Sequence, residues 1–173
     1  GELELFSLGR GLEVALIGMK KERRLSMESY IGYMAFKNGI PVSYGGGWIW
    51  GHSCKIGINI YPPFRGGDSD KLFCQIMRLY FQVYHVRRFV VKPYQFGQGN
   101  PEGLKSGAFW FYYKLGFRPL SKDISNIANL EWNKIKSINN YRTPISVLKR
   151  FTTCNQEWEP VKTVHKFLDA DKV

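Results

Sequence analysis

The chain has 173 residues, of which 44% are hydrophobic and 16% aromatic, enough for one domain to bury roughly 70% of its unfolded surface without disulfides or metals. Its three cysteines, Cys54, Cys74 and Cys154, show no metal-binding spacing and cannot all pair within the chain, which points to reduced thiols and a cytoplasmic setting. The net charge of +11 favours a polyanionic partner, while no apolar run approaches the ~20 residues of a membrane span.

In chain order, residues 12–19 form a short apolar run that periodicity alone leaves open between a buried strand and the end of a helix. The charged cluster at 20–24 marks a surface loop. From Tyr30 onward, alternating residues predict a strand, and Asn38-Gly39 supplies the positive φ angles of a tight hairpin turn. The returning strand is expected to break at Gly45-Gly46-Gly47, where three glycines suggest a bulge or the close approach of another backbone or a ligand. Two more strand segments, 48–50 and 55–61, flank a turn at 51–53. Pro62-Pro63 ends the second, because proline cannot donate to a ladder.

A helix is predicted over residues 69–85, with Leu72, Phe73, Ile76, Met77, Tyr80, Val83 and Tyr84 on one stripe. Asp68 and Ser69 occupy its N-cap region, and Asp70 suits the positive end of its dipole. A strand at 88–94 follows, then a Gly/Asn/Pro-rich loop at 97–103. A second helical stripe carries Ala108, Phe111, Tyr112 and Leu115, closed by Gly116. Phe117 opens a short last strand, and residues 121–153 read as a helical extension. From Asn155 on, periodicity is weak and the tail is expected to be partly disordered; His165 lies in it. Strands first, then strand–helix–strand–helix, imply an α/β (α+β) fold with a mixed sheet and helices on its faces, in one domain over 1–173.

The chemistry-bearing stretch is the strand, proline break, Arg-Gly-Gly and helix between Ile60 and Ser69. Unpaired N–H groups at a helix start, the helix dipole, two glycines that permit close approach and an arginine make a phosphate-binding layout. An ordinary loop before a capped helix has the same letters, so the layout alone leaves both readings open.

Ile60-Tyr61-Pro62-Pro63-Phe64-Arg65-Gly66 resembles the Val-x-Pro-x-(Tyr or Phe)-Arg-Gly pattern of the GNAT superfamily of N-acetyltransferases. Residues 108–117, Ala-Phe-Trp-Phe-Tyr-Tyr-Lys-Leu-Gly-Phe, resemble that family's closing signature, and the likeness spans about residues 29–119. It implies a mixed, mostly antiparallel sheet in which strands 55–61 and 88–94 run parallel and splay apart. It further implies acetyl-CoA or another acyl-CoA as co-substrate, no metal, and a donor site at Ile60, Arg65, Gly66, Gly67, Asp68 and Ser69. Tyr112 matches the family's general acid, whose phenol can protonate a departing thiolate. Asp68 and Asp70 stand where the family carries small residues, and Lys105 replaces a frequent asparagine. Two carboxylates beside a diphosphate repel it unless they turn away as helix caps.

Trp48, Tyr94, Gln95 and Glu102 are the candidate acceptor-binding residues, the last three on a polar loop long enough to carry function. His52, Tyr94 and Glu102 are loose candidates for a general base, because strand 55–61 bears no carboxylate. Three functions remain open. The first is a CoA-dependent N- or O-acyltransferase acting on a small-molecule or peptide amine. The second takes its acyl group from an anionic carrier protein or an aminoacyl-tRNA, which suits the basic charge. The third is a binding module that has lost catalysis within a longer protein, a reading to which the opening Gly1 lends itself.

Overall fold

A computed structural model describes residues 2–161. The described chain forms two compact units, residues 2–89 with 159–161 and residues 90–158.

The first unit is a meander of five antiparallel strands, β1 (Leu3–Ser7), β2 (Leu12–Gly18), β3 (Ser29–Lys37), β4 (Ile40–Trp50) and β5 (Ser53–Ile60). The run at 12–18 is thus a strand, and Val14, Ala15 and Leu16 are all buried. Asn38 and Gly39 both take positive φ between paired Lys37 and Ile40, the two-residue turn whose twist matches its strands.

The expected break at Gly45-Gly46-Gly47 does not occur. Strand β4 runs through all three glycines in regular register, and the register shifts instead between Ala35 and Phe36 on β3. The glycines answer close approach by the protein's own groups. A Cβ on Gly45 would lie 2.5 Å from the Gly57 carbonyl and 2.6 Å from the Tyr33 hydroxyl, and one on Gly47 would strike Cys54 Sγ.

Helix α1 (Ser69–Tyr84) packs on this sheet. Phe73, Ile76, Met77, Leu79 and Tyr80 are its buried apolar residues, and His85 closes it in the left-handed conformation at φ 56°. The Tyr80 hydroxyl donates to the Ile31 carbonyl at 2.6 Å, and its ring meets Tyr33 edge-on. Because side chains alternate along a strand, the α1 face of β3 carries Ile31, Tyr33 and Ala35, and the opposite face carries Tyr30, Gly32 and Met34. In the strand order β5 is followed by β6 (Arg88–Val91), whose first two residues belong to this unit, and α1 joins the two as a crossover. The fold class is therefore mixed α/β, mostly antiparallel with one parallel pair.

The second unit opens with Val90 and Val91. The predicted strand at 88–94 stops there because Pro93 lacks a donor, and Pro93–Phe96 forms a 3-10 turn instead. Within the stretch expected to be loop, Asn100 caps a short helix α2 (Pro101–Lys105) by accepting from the Gly103 N–H at 3.1 Å. Asn followed by Pro is a cap-and-first-turn signal legible in the sequence. Helix α3 (Ala108–Lys114), β7 (Arg118–Pro119), α4 (Lys122–Ser137), α5 (Ile145–Phe151) and β8 (Gln156–Trp158) follow. β8 pairs antiparallel with β7, so residues 156–158 are ordered strand where periodicity offered nothing; residues 162–173, with His165, lie outside the described residues. An aromatic cluster forms the core, with Phe109 against Phe96, Trp110, Tyr113 and Phe151 at centroid distances of 4.3–5.8 Å.

Candidate functional site

The stretch after β5 folds by simple rules. Tyr61 makes a last ladder bond, N–H to Val42 carbonyl at 3.1 Å, and the two prolines then turn the chain through Pro62–Phe64. Arg65 folds back, its Nε donating to the Ile60 carbonyl at 3.1 Å, which holds the guanidinium beside the strand end. Gly66 and Gly67 take φ of +87° and +52°, a region that residues with a Cβ avoid, and among the described residues no atom lies within 4 Å of where a Cβ on either would be. The space over the turn is open. Ser69 secures it from below, donating its N–H and Oγ to the Gly66 carbonyl at 3.1 and 2.6 Å. Among the described residues, the N–H groups of Gly67, Asp68 and Asp70 have no hydrogen-bond partner. They stand at the positive end of a helix of 16 residues.

Asp70 lies in the first turn of α1, where its charge suits the helix dipole, but Asp68 does not cap the helix. Asp68 occupies the N-cap position, yet its carboxylate accepts no helix N–H and instead lies 2.6 Å from Lys71 Nζ. Asp70 accepts from the Lys71 N–H at 2.7 Å. The hydrogen bond and charge of Lys71, with Lys37 adding a weaker attraction, hold the Asp68 carboxyl below its ordinary range; Asp68 in turn raises Lys71. Lys37 donates to the Arg10 carbonyl at 2.6 Å, so the turns at Arg10 and Lys37 bring two further cations toward the head of α1. Sequence reasoning missed Lys71, although an Asp–Lys pair at i,i+3 is itself a legible signal.

Trp48 is half-buried on the sheet face away from α1, its ring 5.0 Å from that of Tyr30. It pairs with Lys55, five rungs along β5 from Ile60, or roughly 17 Å at the rise of a strand.

In the second unit the structure brings together Tyr112 and Gln95. Tyr112 is buried among Phe96, Phe111 and Phe117, and its hydroxyl donates to Gln95 Oε1 at 3.4 Å. Burial pushes the phenol well above its ordinary range, so it holds its proton at any physiological pH. Tyr94 stands exposed on the 3-10 turn, with its carbonyl receiving Asn100 Nδ2 at 3.0 Å. Glu102 sits in the first turn of α2 on the rim of an open groove of about 1020 Å³, which Leu104, Lys105, Ile145 and Lys149 also line.

Other candidates are engaged elsewhere. His52 Nδ1 lies 3.0 Å from the His85 carbonyl, in the turn that closes α1. Burial pushes the Cys54 thiol far up, which leaves it without thiolate character. No group of three metal-ligating side chains occurs among the described residues, and no helix among them is long and apolar enough to cross a membrane.

No protein-family model matches the chain, and no curated protein matches it. Solved structures do match. A spermidine N-acetyltransferase from Vibrio cholerae is 15% identical, with 53% of this chain and 52% of that one covered, at a TM-score of 0.42. An acetyltransferase from Streptococcus agalactiae is 18% identical over 75% of this chain and 66% of that one, at 0.44. A ribosomal-protein-S5-alanine acetyltransferase from Vibrio fischeri is 8% identical over 68% and 85%, at 0.42. The chain thus spans about half the length of the first of these, and each of these three is the structure of an acetyltransferase.

Proposed function

We propose that the chain is an acyltransferase of the GNAT type that takes its acyl group from an acyl-CoA and passes it to an amine of a small molecule or peptide. The observation that carries this reading is the course of the chain from Ile60 to Ser69. A strand is stopped by two prolines, an arginine is tied back to the strand end, and, among the described residues, two left-handed glycines lie under open space and three N–H groups without partners open a long helix. The same letters match the superfamily's pyrophosphate pattern, and residues 108–117 match its closing signature on α3.

These residues fit a diphosphate. The space over Gly66 and Gly67 admits it, the N–H groups of Gly67, Asp68 and Asp70 would donate to it with Arg65, and Lys71 offsets the Asp68 charge that opposes it. The bound donor supplies a thioester carbonyl open to attack by an amine. Holding donor and amine together replaces a bimolecular encounter by a positioned one, which needs no nucleophile from the protein. In this reading Tyr112, kept protonated by burial, supplies the proton to the departing sulfur and regains one from the proton that the attacking amine gives up, and Trp48, Tyr94, Gln95 and Glu102 contact the acceptor.

Calorimetric titration with CoA, acetyl-CoA and longer acyl-CoAs tests the proposal. Wild type should bind, and Arg65→Ala should bind several-fold more weakly, with the larger loss at low salt. Absence of binding at high ligand concentration would reject the CoA-dependent reading and leave a carrier-protein or aminoacyl-tRNA donor, or a binding module, in its place.

A further inference from the structure

Among the described residues no strand lies beyond β1, which ends the sheet of the first unit. Its pairing with β2 fixes which backbone groups point outward. The Gly18 N–H donates to the Glu2 carbonyl and the Leu8 N–H to the Leu12 carbonyl, both at 2.8 Å, in a register that sets Leu3 against Ile17 and Leu5 against Ala15. In an antiparallel ladder bonded and non-bonded pairs alternate, so the even-numbered residues bond β2 while Leu3, Leu5 and Ser7 aim both N–H and C=O away from the sheet. The strand has no proline, no lysine and no bulge. Its one charge, Glu4, belongs to a residue that bonds β2, so no charged residue offers its backbone outward. Leu3 and Leu5 lie on one face beside Ile17, and the three are 67%, 57% and 41% exposed.

We propose that β1 pairs with β1 of a second copy of this chain, antiparallel and centred on Leu5, joining two sheets into one across a two-fold axis. The register is singled out by the sequence Leu-Glu-Leu-Phe-Ser. Centring on Leu5 sets Leu5 against Leu5 of the second copy, Leu3 against Ser7 and Glu4 against Phe6. All three outward residues then meet outward residues, and each such pair exchanges two backbone bonds, about six in total. Centring on Glu4 sets two carboxylates opposite one another, which is destabilising, and keeps only two of those pairs. Centring on Phe6 also keeps only two. In the Leu5 register, Leu3, Leu5 and Ile17 from both copies form one continuous apolar strip on one face, and the flank of Leu5 that the single chain leaves exposed meets Leu5 of the second copy. An interface with this symmetry closes at two copies and cannot propagate.

Sedimentation velocity of the full chain over a concentration series tests the pairing. A dimer that dissociates on dilution is expected. Leu5→Lys and Leu5→Glu should each give monomers with unchanged circular dichroism, because residue 5 makes no ladder bond to β2 and like charges would meet on the axis. An equimolar mixture of the two variants should restore a dimer. Amide exchange on the unmodified protein gives a second reading: the Leu3, Leu5 and Ser7 amides should be protected only at dimer-forming concentration, and those of Glu4 and Phe6 at every concentration. A wild type that stays monomeric up to ~100 μM, a range in which specific assemblies form, overturns the proposal. So does a dimer that Leu5→Lys leaves intact, a mixture that stays monomeric, or outward amides that exchange equally at all concentrations.

Discussion

Lys71 Nζ lies 2.6 Å from Asp68 Oδ1 at the head of α1, so the first carboxylate of the helix is neutralised from within the same turn. The contact is exposed and contributes little to folding. Its consequence is local, because it reduces the repulsion that Asp68 would exert on an anion over Gly66 and Gly67. Under the proposed function, Lys71→Ala should weaken CoA binding by ~3–10-fold at low salt and less at high salt, where exposed charges are screened. Asp68→Asn should leave binding unchanged or tighten it. Calorimetry on the two variants at two ionic strengths checks the pair.

The Tyr112 hydroxyl donates to Gln95 inside an aromatic cluster, which gives one substitution two separable outcomes. If Tyr112 supplies the proton to the departing thiolate, Tyr112→Phe should lower turnover by ~10²-fold while the ring packing persists. If its role is packing alone, turnover should be unchanged and stability should fall by about 1 kcal/mol, the net value of one hydrogen bond. Turnover and thermal unfolding measured on the same preparation distinguish the two.

Gly45 faces the carbonyl of Gly57 and the hydroxyl of Tyr33, which donates to that carbonyl at 3.0 Å. A methyl group at residue 45 would enter this hydrogen bond and press on backbone of the paired strand, which cannot rotate away. Gly45→Ala should therefore destabilise the fold by about 1–3 kcal/mol, the usual cost of overpacking. Gly66→Ala, with open space above it, should instead show only the strain of its positive φ. Chemical denaturation of both variants tests the contrast.

Glu131 is a buried carboxylate on α4 that accepts from Lys134 and from the Tyr141 hydroxyl, each at 2.7 Å. Burial pushes its carboxyl up, but the hydrogen bonds from Lys134, Tyr141 and Thr143 outweigh that and hold it below the ordinary range. A carboxyl depressed by folding contributes stability that is fully present above its unfolded value, near ~4, and is lost as pH falls through the folded one. Wild type should thus be more stable than Glu131→Gln at neutral pH, and the two melting temperatures should converge as the solution is acidified below pH ~4. A constant gap across that range would show that Glu131 does not titrate with unfolding.

What the sequence determined by itself is local. Asn38-Gly39 specified the hairpin because those residues tolerate the left-handed region, Pro62-Pro63 stopped β5 because proline has no N–H, and the spacing of Phe73, Ile76 and Tyr80 set one face of α1. The candidate donor site was legible for the same reason, since Ile60 to Ser69 is one continuous stretch whose turn chemistry is carried by its own residues. Only the tertiary structure decided matters that rest on residues distant in the chain. Gly45 to Gly47 look like a strand breaker until Tyr33, Cys54, Gly57 and Tyr80 are placed against them, and then they are the reason β4 continues. The strand at Gln156–Trp158 has no periodicity to announce it, because three residues are too few to show a period and its partner is Arg118–Pro119. Tyr112 shares its stripe with any core residue, and its meeting with Gln95, like the charge that Lys37 brings toward Asp68, depends on how separate segments pack, which no window of sequence contains.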